Sequence, residues 1–232
     1  MTYDNIYEGV FFSRPNRFIA EVEVEGRLHR CHVKNTGRCS ELLIPGARVY
    51  VNRSDKPERV TLFDLISVWK GERLINMDSQ APNKVFLEYL KSGNYLSGIS
   101  LIKPEAKYGG SRLDFYAEAE GETPDIKRKI FIEVKGVTLE TGGAAFFPDA
   151  PTERGIKHLE ELSGCMEKGY EAHVVFVIQM KGVSHFSPNN ITHPAFGKAL
   201  VRAEKAGVRL IAMDCVVRRD SLVLSSEVPV AL

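Results

Sequence analysis

The sequence predicts an α+β protein of two domains, a small five-stranded β-barrel followed by an α/β domain. Residues 1–80 contain short strand-like stretches and no long helix, whereas residues 81–232 alternate between strand-like and helix-like stretches. The stretch DSQAPN (78–83) between them is polar, contains a proline and has no hydrophobic periodicity. We therefore assign residues 1–80 to the first domain and residues 81–232 to the second.

The first domain is predicted to be an oligonucleotide-binding (OB) type barrel. RFIAEVEVEG (17–26) alternates apolar and charged residues, and the Glu25-Gly26 turn leads into RLHRCHVK (27–34). After NTGRCSELLIPGA (35–47), a loop or short helix, come three more strands: ARVYVN (47–52), RVTLFDLISVWK (59–70) and ERLINM (72–77). Five short strands with one insert suit a Greek-key barrel, and a small sandwich is the alternative.

The second domain is predicted to hold a sheet of about five strands with helices packed on it. Asn83 is the expected cap of a first helix, KVFLEYLKSG (84–93), and Thr152 that of a second, PTERGIKHLEELSGCMEKG (151–169). A third helix is THPAFGKALVRAEKAG (192–207). The predicted strands are ISLIKPEAKYG (99–109), SRLDFYAEAE (111–120), IFIEVKGVTL (130–139), HVVFVIQM (173–180) and VRLIAMDCVV (208–217), with a further hairpin in RRDSLVLSS (218–226).

Composition narrows the possible functions. The net charge is +1, so a surface for nucleic acid has to be a local basic patch. The four cysteines are far apart and lack zinc or disulfide spacing, which predicts buried free thiols. The sequence shows neither a signal-peptide pattern nor an apolar run of transmembrane length, so we expect a cytoplasmic protein without a membrane partner.

The most informative stretch is IFIEVKGVTL, because Glu133 and Lys135 lie on the same face of an otherwise apolar strand. A Glu–Lys pair on a strand is in itself a common surface feature. Asp114, however, lies on the preceding strand, and strands consecutive in sequence often pair. If these two strands pair, two carboxylates and one ammonium group converge at one place.

This combination suits metal-assisted hydrolysis of a phosphodiester. Mg²⁺, or Mn²⁺ in its place, prefers carboxylate oxygens and water, and it polarises a phosphoryl group. Asp114 and Glu133 are the predicted ligands, with the Val134 carbonyl as a third, and Lys135 would orient or deprotonate the attacking water. Glu105 is the candidate for an additional acid, with Glu88 as its rival.

The spacing Asp114…Glu133-x-Lys135 resembles the core of the PD-(D/E)xK nucleases, although Leu113 stands where that motif often has proline. Longer stretches are more specific. In order, CHVKNTGRCSELLIPG (31–46), YGGSRLDF (108–115), FIEVKGVTL (131–139) and FFPDAPTERGIKHLEEL (146–162) resemble the sugar fermentation stimulation protein A family over essentially the full chain. The resemblance implies an OB-type barrel, a PD-(D/E)xK restriction-endonuclease-like domain and DNA binding, with RNA as a further substrate to test.

Nucleic-acid contacts are predicted on both domains. On the barrel, Phe12 is a candidate for base stacking. In the second domain, the N-terminus of the 151–169 helix can receive a phosphate, and Asp149 is a weaker catalytic candidate. The basic candidates for phosphate contact are Arg14, Arg17, Lys34 and Arg38 on the barrel, with Arg154, Lys157 and His158 on that helix.

Three functions remain open on the sequence. The first is a Mg²⁺-dependent nuclease hydrolysing DNA, favoured because Asp114, Glu133 and Lys135 are all present. The second is a catalytically silent, non-specific DNA-binding regulator of sugar metabolism, favoured by the family's label. A small-molecule phosphate enzyme is third, and the basic residues on both domains speak against it. A homodimer would suit an enzyme that cuts two strands.

Overall fold

The computed structural model describes residues 1–56, 58–121, 123 and 126–232. Its first six strands form one sheet in the order β3-β2-β1-β4-β5-β6, and β3 pairs in parallel with β5 to close a barrel of five strands. These strands are β1 (Ile6–Asn16), β2 (Ile19–Val24), β3 (Arg27–Val33), β4 (Arg48–Arg53), β5 (Phe63–Lys70) and β6 (Arg73–Asn76). Since β6 only extends the sheet beyond β5, the predicted OB-type closure is confirmed.

Two details of the barrel differ from the prediction. The strand β1 was not predicted, and the stretch ERLINM, counted as the fifth barrel strand, forms β6 outside the closed barrel, while the insert after β3 consists of turns, as the loop alternative expects. Gly9 weakens the strand pattern of the β1 sequence. A glycine is needed at this position because a Cβ there would lie 2.6 Å from Val22 Cγ1 and 2.8 Å from the Glu23 carbonyl on β2.

The remainder is built on a six-stranded sheet in the order β15-β14-β12-β9-β8-β7. The central strands β9, β12 and β14 run parallel, and the pairs β7–β8, β8–β9 and β14–β15 are antiparallel. The strands are β7 (Leu101–Tyr108), β8 (Ser111–Glu120), β9 (Lys127–Val137), β12 (Glu171–Ile178), β14 (Arg209–Arg218) and β15 (Ser221–Val228). A small second sheet joins β10 (Leu139–Thr141), β11 (Ala144–Phe147) and β13 (Phe186–Pro188).

Three helices pack on the large sheet: α1 (Ala81–Lys91), α2 (Glu153–Glu167) and α3 (Pro194–Lys205). Apolar residues of α1 belong to the core on one side of the sheet, and those of α2 and α3 to the core on the other side, which is continuous with the barrel interior. The predicted cap of α2 is present, because the Thr152 hydroxyl accepts a hydrogen bond from the Gly155 N–H at 3.0 Å. The α/β layers confirm the predicted fold class.

The helix α1 begins at Ala81, so Asn83 lies inside its first turn and is not its cap. Pro82 explains the earlier start, because a proline in the first turn of a helix sacrifices no hydrogen bond. The side chain of Asn83 is thereby free to contact the neighbouring sheet.

The barrel is joined to the large sheet through Gln179, the residue after β12. Its backbone carbonyl accepts from the Asn76 N–H at 2.9 Å. Its side-chain Nε2 donates to Asn76 Oδ1 at 2.9 Å and to the Asp78 carbonyl at 3.1 Å. On the small sheet, the Glu140 carboxylate forms ion pairs with Lys70 and Arg73 of the barrel. These contacts fix the barrel beside the ends of the parallel strands.

All four cysteines are buried free thiols, as predicted. Within the described ranges, none of the three helices has the length and hydropathy needed to cross a membrane.

Candidate active site

Asp114 and Glu133 meet where β8 and β9 separate. The regular pairing of these strands ends at Phe115 and Ile132. Immediately beyond it, Asp114 Oδ2 accepts a hydrogen bond from the Val134 N–H at 2.8 Å, so a side chain continues the connection between the strands. The second oxygen of this carboxylate, Oδ1, accepts from Asn83 Nδ2 at 2.8 Å. Both oxygens of Asp114 are therefore oriented by fixed donors.

Glu133 is almost fully buried, with 3% of its surface exposed. Its Oε1 accepts hydrogen bonds from Lys135 Nζ at 2.5 Å and from His158 Nδ1 on α2. Its Oε2 is also buried but has no hydrogen-bond partner among the residues that the structure describes. Because a buried carboxylate oxygen is costly when it has no partner, this atom can accept a cation or a hydrogen-bond donor.

The hydrogen bonds of His158 define its tautomer. Arg154 Nε, which can only donate, lies 3.3 Å from His158 Nε2, so Nε2 is the acceptor. The ring proton is then on Nδ1 and points at Glu133. His158 thus holds one oxygen of Glu133 in place and leaves the other free.

The two carboxyl groups have pKa values displaced in opposite directions. The pKa of Asp114 is raised, first by burial and then by the negative charge of Glu133. Burial would also raise the pKa of Glu133, but the hydrogen bond from His158 and the charge and hydrogen bond of Lys135 outweigh it and hold this pKa below its usual value. A positive ion beside both groups would relieve the repulsion that raises the pKa of Asp114.

The residues fit a hard divalent cation. Asp114, the unpartnered Oε2 of Glu133 and the intervening backbone at Val134 supply oxygen atoms of the kind that Mg²⁺ and Mn²⁺ prefer. Over residues 1–56, 58–121, 123 and 126–232, no three His, Cys, Asp or Glu side chains group as metal ligands. An ion here would complete its coordination with water and substrate oxygens, which is the usual manner of Mg²⁺.

Glu105 does not join the carboxylate pair, contrary to expectation. Its side chain is 72% exposed and forms an ion pair with Arg112 at 2.9 Å. It lies on the edge strand β7 opposite Asp114, with φ of +51°, where the pairing with β8 is interrupted between Pro104 and Ala106 without a change of register. The rival acid Glu88 is also elsewhere, bound to the N-terminal ammonium group at 2.6 Å.

On the barrel, Arg14 and Lys34 are already occupied by other contacts, which corrects their expected role. Arg14 donates to the backbone carbonyls of Arg17, Asn35, Gly37 and Arg38, at 2.5–2.8 Å. Lys34 forms ion pairs with Asp78 at 3.0 Å and Asp64 at 3.7 Å. Arg14 therefore organises this loop and is not available to a phosphate.

Arg17 and Arg38 are exposed, and the shared contact with Arg14 places them on the same edge of the barrel. Phe12 is 61% exposed and is therefore not a core residue. The loop of Arg38 packs onto the second domain, since a Cβ at Gly37 would collide with the Asp149 carboxylate. This basic edge consequently borders the segment that leads into α2.

The three basic candidates of α2 are divided by burial. Arg154 and Lys157 are exposed, and Lys157 Nζ donates to the Gly110 carbonyl at 3.2 Å. His158 is only 3% exposed and faces Glu133, so its side chain belongs to the carboxylate site and not to a phosphate-binding surface. The first turn of α2 also contains Glu153, which disfavours an anion there.

The structure brings Asp114, Glu133 and Lys135 together, as predicted. The contact of Asn83 with Asp114 and that of His158 with Glu133 were not predicted. For Asn83 the sequence carries no signal, because its partner is 31 residues away. For His158 there was one: Leu162 and Cys165, four and seven positions later on α2, are buried, so His158 lies on the core face.

An OB-type barrel joined to an α/β domain with an acidic pair on adjacent strands defines a two-domain protein of restriction-endonuclease-like class. Comparison with known families agrees. The model described as the SfsA N-terminal OB domain matches residues 12–77, and the model described as the sugar fermentation stimulation protein RE domain matches residues 80–221. The chain belongs to the sugar fermentation stimulation protein family, which confirms the resemblance seen in the sequence.

Individual relatives match along their whole length. A sugar fermentation stimulation protein homolog of Clostridium beijerinckii is 56% identical over 232 residues and covers 100% of both chains. One of Desulfitobacterium hafniense is 57% identical, covering 100% of this chain and 99% of the relative. Among solved structures, SfsA of Pyrococcus furiosus in complex with Ca²⁺ has a TM-score of 0.87 at 28% identity, covering 100% of this chain and 98% of the other.

Proposed function

We propose that the protein is a metal-dependent nuclease that hydrolyses phosphodiester bonds in DNA. The observation that carries the proposal is the buried, unpartnered Oε2 of Glu133 next to Asp114, whose pKa is raised by burial and then by the charge of Glu133. Two acids kept this close, with one oxygen free, are expected where a divalent cation binds.

The solved relative supports the choice of ion. The Pyrococcus furiosus SfsA structure contains Ca²⁺, and Ca²⁺ and Mg²⁺ are both hard cations that select oxygen ligands. We expect Mg²⁺ or Mn²⁺ to be the working cofactor here. Asp114, Glu133 and the Val134 carbonyl would hold it, and when bound it would polarise the phosphoryl oxygen and acidify water.

The chain's own residues would orient the reacting groups. Val134 N–H and Asn83 fix the carboxylate of Asp114, and His158 fixes that of Glu133. Lys135 Nζ, which donates to Glu133 Oε1, could place the attacking water by a hydrogen bond or neutralise charge that develops on the phosphate.

The path for DNA would follow the exposed basic residues of both domains. Arg17 and Arg38 lie on the barrel edge that borders the start of α2, and Arg154 and Lys157 are exposed on α2. With a net charge of only +1, binding would depend on this local patch.

A DNA-binding protein without catalysis is the second candidate. It is favoured by the position of Glu105, because the described residues offer only two carboxylates at the site and no third. The exposed basic edge of the barrel would bind DNA whether or not the protein cleaves it.

A cleavage assay separates the two. Single-stranded, double-stranded and branched DNA, and RNA, are incubated with Mg²⁺ or Mn²⁺. We expect metal-dependent cleavage by the wild type, its loss in Asp114→Ala and Lys135→Ala, and retained DNA binding in both variants. Absence of cleavage on every substrate, with binding intact, would refute the nuclease and support the silent binder.

A further inference from the structure

A small cavity opens between the barrel and the second domain. Its volume is about 120 Å³, room for several waters by the ~10–15 Å³ that one water requires in a cavity. It can therefore accept a small ligand such as one planar ring. The cavity is lined by Asn35 and Ser79 from the barrel side and by Gly136, Thr138, Leu139, Phe146, Phe147, Asp149 and Gln179.

The cavity lies at the end of the sheet where ligands usually bind. Thr138 follows the last residue of β9, and Gln179 follows the last residue of its parallel neighbour β12. In open α/β sheets, ligands bind in the crevice outside the carboxyl ends of such strands. Gly136, in the wall, is the next residue after Lys135, so the cavity borders the carboxylate site.

Two polar groups of the lining residues are available to a ligand. Gln179 is 2% exposed, and its Nε2 is fully engaged with the barrel, but its Oε1 accepts no hydrogen bond from the described residues. The hydroxyl of Thr138 likewise has no hydrogen-bond partner within them. Both groups are therefore open to the cavity and can accept hydrogen bonds from a ligand that enters it.

The remaining wall suits a flat aromatic ligand. Phe146 and Phe147 are half-buried and line the cavity, and Asp149 adds an acceptor. Gly136 keeps the space beside Gln179 open, because a Cβ there would lie 2.7 Å from Gln179 Oε1. Aromatic side chains combined with hydrogen-bonding groups are what a pocket for a single unstacked base provides.

We propose that this cavity receives one unpaired base of the bound strand, next to the phosphate presented to Asp114 and Glu133. The inference rests on the proposed nuclease function and narrows its substrate to single-stranded or locally unpaired DNA. A base in an intact duplex would have to leave its stack to enter, which costs binding energy.

The test uses 2-aminopurine as a reporter base. Single-stranded oligonucleotides carry it at one position at a time, and their fluorescence is measured with saturating protein in Ca²⁺. We expect one position, adjacent to the bond cut in Mg²⁺, to respond differently from all others. The Ser79→Trp variant places an indole at the exposed rim and should abolish this difference, with roughly a tenfold loss of affinity from the lost stacking.

Two variants complete the design. Ser79→Ala leaves the rim open and should keep the wild-type signal. Thr138→Val removes a hydroxyl at nearly constant volume, and should weaken the signal even if Ser79→Trp fails to fold. If the oligonucleotide binds but 2-aminopurine fluorescence responds alike at every position, or if the distinct signal survives both Ser79→Trp and Thr138→Val, the pocket assignment is wrong and the proposed nuclease function is unaffected. A wild type that binds no oligonucleotide would refute the proposed function itself, and the pocket with it.

Discussion

The contact between His158 and Glu133 gives the sharpest prediction about metal binding. In His158→Gln the amide replaces the ring's Nε2, so the group next to Arg154 is retained and the donor to Glu133 Oε1 is lost. Residues that hold a metal ligand in place typically contribute about 10–100-fold to affinity. That range corresponds to about 1.4–2.7 kcal/mol, and we expect His158→Gln to weaken Mg²⁺ or Mn²⁺ binding by this amount.

His158→Asn is the matched control, because the Asn amide can occupy the position of Nδ1 and donate to Glu133. Titration calorimetry with Mn²⁺ should find its affinity close to that of the wild type, although the contact with Arg154 is lost. Thermal unfolding of both metal-free variants measures any general damage. If Asn and Gln weaken binding equally, or neither does, the assignment of the Nδ1 proton to the Glu133 contact is wrong.

Four other outcomes are expected. Because burial and the charge of Glu133 raise the pKa of Asp114 in the folded state, its ionisation opposes folding: the stability of the metal-free protein, followed by thermal unfolding, should fall as pH rises from the usual aspartate pKa through this raised value, and Asp114→Asn should remove this part of the pH dependence. Metal affinity should fall with decreasing pH over that window, because protons compete for the same carboxylate, which calorimetry at several pH values would show. Arg14→Lys should lower unfolding stability by about 2 kcal/mol in denaturant titrations, since one ammonium group cannot replace a guanidinium bound to four carbonyls. Glu105→Gln should leave the affinity for metal unchanged, and a large loss of affinity in this variant would contradict the exclusion of Glu105 from the site. Arg17→Ala and Arg38→Ala should each lower the slope of log affinity for DNA against log salt concentration by about 1, and unchanged slopes would contradict their assignment to the DNA surface.

The part of the site that could be predicted follows from strand periodicity. Alternation placed Glu133 and Lys135 on one face and Asp114 on the same face of the neighbouring strand, and pairing of consecutive strands did the rest. The barrel type was predicted from a count of five strands, but that count included β6 and missed β1, because Gly9 weakens the β1 pattern just where two strands approach closely.

The errors occurred where charge type was used without knowledge of partners. In the sequence, Arg14 and Lys34 cannot be distinguished from other surface cations. Only the folded structure shows that Arg14 is bound to backbone carbonyls and Lys34 to carboxylates. Glu105 was predicted from its position in the sequence, but its exposed side chain pairs with Arg112 and its backbone has a φ of +51°. A contact such as that of Asn83 with Asp114 depends on how α1 docks on the sheet, which local sequence does not encode.

The irregular backbone at Glu105 has a consequence for assembly. β7 is an outer strand of the large sheet and would otherwise offer a free row of backbone groups to another chain. An incoming strand would meet Pro104, which has no N–H to donate, and then Glu105 with its φ of +51°, with Lys103 and Lys107 exposed on either side. The residue first considered as a third acid therefore helps to keep this edge from recruiting a strand.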